Sequence, residues 1–313
     1  MSTERLLVHG PRIDDLTDLL CFDRIVFPAT TAIRRPRDCP PGYAGYPIEE
    51  ALTPEARERL VEAGVVTSPV PLILAASSED TVAQLLSGDG SPLELPQSIE
   101  TDVGTLTGMA FSSLDTPATR ADVAAWIAQI DAKVAKVAGM LATRGHRAVP
   151  KLFAADVTRT LRPGWSVVLS VAFPRFPGLE VGRVDLEALI AFLTDSGTIE
   201  KRRALFDWPL AIEADVRHDR IRIAEVPDRI AQALEDYGGW IMQSGLPTRV
   251  RVVELLLVFD ASFIDRLTAV RPSDRIAEIV TLSQRGLALS GEDRTGSGRE
   301  LAFVSHGRRG YDE

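Results

Sequence analysis

The chain has 313 residues, 45% of them hydrophobic and 25% charged, with a formal net charge of −9. These proportions are those of folded globular proteins and exclude a disordered chain, and the length suffices for two ordinary domains of roughly 100–200 residues each. The acid excess lies mainly in residues 1–150, with 20 acids against 13 bases, and no Lys or Arg occurs between Arg59 and Arg120. Such a distribution repels phosphate and argues against nucleic acid as a partner.

In chain order, residues 5–9 read as a strand, 13–22 as a helix with Ile13, Leu16, Leu19 and Leu20 on one face, and 24–27 as a second strand. Pro28 ends that strand. From 29 to 47, Pro36, Pro40, Pro41, Gly42, Gly45 and Pro47 prevent regular structure, and loops of this length are often functional. Thr53-Pro54 combines a capping hydroxyl with a proline at the first helical position, which predicts a helix over 54–63 stopped by Gly64. Ser78 predicts a further helix to Leu86, closed by Gly88, with 88–96 as a surface loop.

Val123, Ile127, Ile130, Val134, Val137 and Leu141 alternate steps of four and three, which places them on one stripe of a long helix ending near Gly145. Packing inside a domain explains that stripe more simply than an intermolecular coiled coil does. Strands are predicted over 148–153 and 165–173, the second closed by Pro174, Pro177 and Gly178.

Beyond this point the spacing is helical: 185–194, 199–206 ended by Pro209, 227–243 interrupted by Gly238 and Gly239, 249–270, and 274–289. The apolar run from Val252 to Val270 reads as a core helix, with a face that inserts into a partner or lipid as the alternative. Residues 299–305 have strand composition and would join the N-terminal sheet or form an edge. The expected fold is mixed α/β and helix-rich. A small α/β N-terminal unit with a mainly parallel or mixed sheet occupies 1–178, and a helical C-terminal unit with a terminal strand occupies 179–313.

The stretch Val184-Asp185-Leu186-Glu187-Ala188-Leu189-Ile190-Ala191-Phe192-Leu193-Thr194-Asp195 is followed by Lys201-Arg202-Arg203 and Leu205-Phe206-Asp207-Trp208. With the closing Gly298-Arg299-Glu300-Leu301-Ala302-Phe303-Val304, it resembles a group of bacterial cytosolic proteins of no established function, over less than half of the chain. The resemblance implies a bacterial origin and a helical C-terminal half whose Gly-Arg-Glu ending is structural or regulatory. It carries no catalytic residue across.

Two cysteines, Cys21 and Cys39, make no disulfide framework and have no zinc-ligand spacing, which points to the reducing cytoplasm. The charged N-terminus has no signal-peptide core, and no stretch approaches the roughly 20 apolar residues of a membrane helix. The four histidines, His9, His146, His218 and His306, lie far apart, so no metal site is expected. No cofactor motif is present either: the glycines at Gly291, Gly296 and Gly298 lack the Lys-Ser or Lys-Thr of a phosphate loop.

Three groups of side chains are candidates for a site. His9 ends the first strand, where open α/β sheets place ligand loops, and Arg12, Asp14 and Asp15 follow it. Arg34, Arg35 and Arg37 sit in the long loop near Tyr43 and Tyr46, a mixture suited to an anionic or aromatic ligand, with a solvated charge run as the plainer reading. Arg217, His218 and Arg220 lie downstream of Lys201, Arg202 and Arg203, but Glu213, Asp215, Asp219 and Glu225 are interleaved, so internal ion pairing is the plainer reading there.

Because catalytic motifs are missing, the leading expectation is a non-enzymatic bacterial cytosolic regulator or sensor that acts through a protein partner or self-association, with no membrane and no nucleic acid. The alternative is an enzyme or small-ligand receptor with a polar site at the ends of the N-terminal strands, built from His9, Arg12, Asp14 or Asp15.

Overall fold

The computed structural model describes residues 4–10, 16–27, 53–75, 120–151, 167–180, 182–258, 261–270, 276, 280–286 and 299–306. The fold is mixed α/β and helix-rich, with one parallel and one antiparallel sheet of four strands each. Two compact units divide the chain: Met1–Asp14 with Arg24–Lys151, and Asp15–Asp23 with Leu152–Glu313. The sequence reading cuts once, after residue 178. The observed division instead follows strand pairing, because the strand that begins at Val167 hydrogen-bonds to strands formed much later in the chain.

The first unit is built on β1 (Arg5–Val8), β2 (Arg24–Val26), β3 (Val66–Thr67) and β4 (Arg147–Pro150), all parallel, in the order β3-β2-β1-β4. Every residue of β1 is buried, as expected of a parallel strand covered on both faces. Between β2 and β3 lies α2 (Pro54–Glu62), and α3 (Pro69–Ala75) follows β3. The long α4 (Arg120–Thr143) leads into β4 and packs on β4, β1 and α3. Its predicted stripe is the buried face: Ile130, Val134, Val137 and Leu141 are all 4% exposed or less. Val123 and Ile127 have side chains outside the described set. Gly64 and Gly145 adopt positive φ at the ends of α2 and α4, the left-handed stop that glycine permits without steric cost.

The start of α2 follows the predicted chemistry. Thr53 accepts a hydrogen bond from the Ala56 amide at 3.2 Å, and Pro54 opens the helix. Thr53→Ala should destabilise this exposed helix by about 1 kcal/mol, with faster amide exchange confined to its first turn; unchanged exchange would show that the cap contributes nothing.

The second unit contains the short α1 (Thr17–Cys21), although β1 and β2, on either side of it in the chain, belong to the first. Its sheet has the order β7-β5-β6-β8, all antiparallel, from β5 (Val167–Leu179), β6 (Thr248–Val258), β7 (Thr281–Gly286) and β8 (Arg299–His306). The helices are α5 (Leu186–Thr194), α6 (Ser196–Phe206), α7 (Trp208–Arg217), α8 (Val226–Gln243) and α9 (Ala261–Thr268). Asp185 and Asp195 cap α5 and α6 by accepting from Ala188 and Thr198 amides, each at 2.8 Å.

Several sequence expectations are corrected here. The predicted helix over 249–270 is the central strand β6 followed by α9. Val253, Leu255 and Leu257 form its fully buried face, and Glu254 is buried opposite them, hydrogen-bonded by Ser170. Thr281–Gly286, inside the predicted helix 274–289, is also a strand, and so the second half is more than a helical unit with a terminal strand. Pro174 and Pro177 do not end β5. The register shifts between Phe173 and Phe176, around Pro174, and Pro177 lies beyond the residues that pair with β7; bulges and strand edges are where proline is tolerated. Helix α8 runs uninterrupted through Gly238 and Gly239, held by buried Ile230, Leu234, Tyr237 and Ile241. Pro209 opens α7, which the sequence reading did not contain. The terminal strand forms as expected, and it is an edge beside β6. The predicted helix from Ser78 and the loops over 29–47 and 88–96 lie outside the described residues.

Around β5, Phe173, Phe176, Phe206 and Tyr237 form an aromatic cluster with ring centroids 6.2–6.4 Å apart in tilted and edge-to-face pairs. Tyr237 donates a hydrogen bond to the Leu20 carbonyl at 2.6 Å, joining α8 to α1. Burial pushes its phenol well above the usual tyrosine range, although nearby Arg202 pulls the other way. Arg202 is itself buried and pairs with Asp23 at 2.7 Å. No described helix is long and apolar enough to cross a membrane.

Candidate functional site

Parallel strands fed by helices bring all of their carboxyl ends to one edge of the sheet. In the first unit the chain runs from β1 outward through β2 to β3 and then returns to place β4 on the other side of β1. The order therefore reverses between β1 and β4, the position at which open α/β sheets hold ligands.

The residues at that edge follow from the register. Val8 pairs with Val26 on one side and Pro150 on the other. The His9 amide donates to the Val26 carbonyl at 2.9 Å, and the Lys151 amide donates to the Val8 carbonyl at 2.8 Å. One step past the last pairs, Phe27, His9 and Lys151 thus stand in a row across β2, β1 and β4. The His9 ring is fully buried, 5.7 Å from the Phe27 ring and tilted by 42°. Its Nδ1 lies 3.2 Å from the Gly10 carbonyl. The Arg57 guanidinium of α2 sits 4.3 Å from the Phe27 ring centre. Lys151 is only 1% exposed.

Three residues with nitrogen-bearing side chains, His9, Lys151 and Arg57, thus lie at or beside the carboxyl edge of the sheet. Lysine is rarely buried to this degree, and its placement beside the reversal point is chemically informative. An ammonium and an imidazole on neighbouring strands can neutralise an anion and exchange a proton with it. His9 is the sequence candidate that falls in this row. Arg12, Asp14 and Asp15, and the loop residues Arg34, Arg35 and Arg37, lie outside the described residues.

Lys151 was not among the sequence candidates, because its value depends on β4 returning beside β1 after more than a hundred residues. One local signal existed. The chain has only four lysines among 35 basic residues, and this one lies in the strand predicted over 148–153.

The third candidate group is dispersed into pairs on the surface of the second unit. Arg217 pairs with Glu213, Arg220 with Asp215 at 3.0 Å, and the exposed His218 places Nδ1 2.7 Å from the Ala214 carbonyl. The upstream bases Lys201 and Arg203, with Arg229, line a cleft of ≈ 550 Å³ between α6, α7 and α8. Glu200, Asp207 and Asp236 line the same cleft, Arg229 reaches Asp215 at 3.6 Å, and the Lys201 ammonium lies 5.3 Å from the Trp240 ring. The mixed charge gives this cleft no preference for an anion. No group of three or more His, Cys, Asp or Glu side chains suited to a metal ion occurs among the described residues.

Comparison with models of protein families, with curated proteins and with solved structures finds no match to this chain.

Proposed function

We propose that the first unit is a small-ligand binding module that receives an anionic group, phosphate or carboxylate, at the carboxyl ends of β1, β2 and β4. The observation that carries this reading is the adjacency of buried His9 and Lys151 on the two strands that flank the sheet's reversal point. Lys151 supplies the charge, His9 a hydrogen bond or proton, and Phe27 an apolar wall. The low cysteine count favours a reducing, cytoplasmic setting.

Native mass spectrometry of the purified full chain, with thermal-shift titration against adenine nucleotides, sugar phosphates and small dicarboxylates, tests the proposal. At least one anionic compound should raise the melting temperature. Lys151→Met, close in shape but without charge, should weaken that compound about 10- to 100-fold, the worth of a charge-assisted hydrogen bond. Loss of the shift in neither Lys151→Met nor His9→Asn would remove the site from consideration.

The expectation of a regulator acting through a protein partner draws support from a different place, a groove on the second unit.

A further inference from the structure

Among the described residues three large apolar side chains are exposed, and two of them, Met242 at 64% and Val250 at 70%, meet in one groove. The groove holds ≈ 560 Å³ between α8 and the start of β6, and Pro177, Leu234 and Gly239 complete its apolar lining. Scattered apolar side chains on a surface need no explanation, whereas a joined pair lining a concavity marks a contact site.

Gly239 adds an independent argument. Glycine inside a helix is destabilising relative to alanine, so its presence calls for a packing reason. A Cβ on Gly238 would make only an ordinary van der Waals contact with Pro177 at 3.6 Å. A Cβ on Gly239 would meet nothing within 4 Å. The fold would accept a side chain at Gly239, and its absence keeps the helix backbone open to close approach from outside.

Charge selects the occupant. The groove is bordered by the exposed guanidinium groups of Arg175 and Arg249 and by the carboxylate of Glu235, and Arg175 and Glu235 each already have an interaction within the chain. Arg249 takes no ion pair among the described residues. A thioether such as that of Met242 adapts to varied apolar partners. We infer that this groove docks a short apolar segment of a partner protein flanked by Asp or Glu, with Gly239 admitting the segment's backbone and Arg249 receiving its carboxylates. The inference is independent of the anion site in the first unit.

Fluorescence polarisation of the full-length protein with a labelled library of hexapeptides tests it. The library has apolar cores flanked by Asp or Glu, the same cores flanked by Lys, and Ala cores flanked by Asp or Glu. Acid-flanked apolar peptides should bind at least tenfold more tightly than either control. Gly239→Leu should weaken them at least tenfold with an unchanged melting temperature, Gly239→Ala should retain most of the binding, and Arg249→Glu should shift preference toward Lys-flanked peptides. No binding by any acid-flanked member, equal binding by all three sets, or indifference to Gly239→Leu would each overturn the inference. So would a dimer in sedimentation that Gly239→Leu dissolves, since the groove would then belong to a second copy of this chain.

Discussion

Asp23→Ala should lower the stability of the second unit by about 3–5 kcal/mol, the usual loss when one member of a buried ion pair is removed. Asp23 faces Arg202 at 2.7 Å and Arg203 at 3.6 Å, and the Asp23 and Arg202 side chains are 8% and 4% exposed. Removing the carboxylate leaves the Arg202 guanidinium away from water, and its Nε already has no hydrogen-bond acceptor. The neighbouring Tyr237 phenol, held protonated by burial, cannot take over the charge. Its own contribution has a defined sign. A phenol whose folded pKa is raised stabilises fully below the unfolded value of about 10, and that contribution fades as pH climbs above it. Urea unfolding at pH 7 measures the Asp23→Ala effect, and the double replacement Asp23→Leu with Arg202→Met should recover most of it. A single variant that unfolds at the parental urea midpoint would mean that the pair is not closed in solution.

Gly178→Ala is the second large effect. The added Cβ would stand 2.2 Å from Arg251 Cγ and 2.5 Å from Thr17 Oγ1, distances that atoms cannot keep. Both obstructions must yield, Arg251 on β6 and Thr17 on α1, and overpacking of this kind costs about 1–3 kcal/mol, with the upper end expected because Arg251 Cβ also lies at 3.1 Å. Denaturant titration reads the loss. Arg251→Ala in the Gly178→Ala background should return part of it by vacating the nearest obstruction. An unchanged midpoint in Gly178→Ala would contradict the close approach of α1, β5 and β6 at this residue.

Much of the fold was legible where one periodicity met one environment. The stripe of α4 and the cap at Thr53 follow local rules that tertiary structure did not override. The run from Val252 to Val258 was not legible, because apolar residues occupy both alternating sets of positions along β6 and blur the polar alternation that marks a strand; a short apolar run fits helix and strand templates equally. Gly238 and Gly239 read as a break for the opposite reason: their local weakness is offset by buried neighbours on the same helix. For the site, His9 was visible as a polar residue closing a strand. Lys151 was not, since its partner strand lies at the other end of a long excursion and only topology brings them level.

The nine residues Asp15–Asp23 belong to one body while the residues on either side belong to the other. Neither half of this protein is therefore a continuous piece of chain. During synthesis the second body must wait for its carboxyl-terminal portion to leave the ribosome, with its earliest contributor already made and without a home. A break at the Lys151–Leu152 bond would likewise not release two self-sufficient parts, because the amino-terminal fragment would carry away the Asp23 carboxylate and the Leu20 carbonyl on which Arg202 and Tyr237 depend.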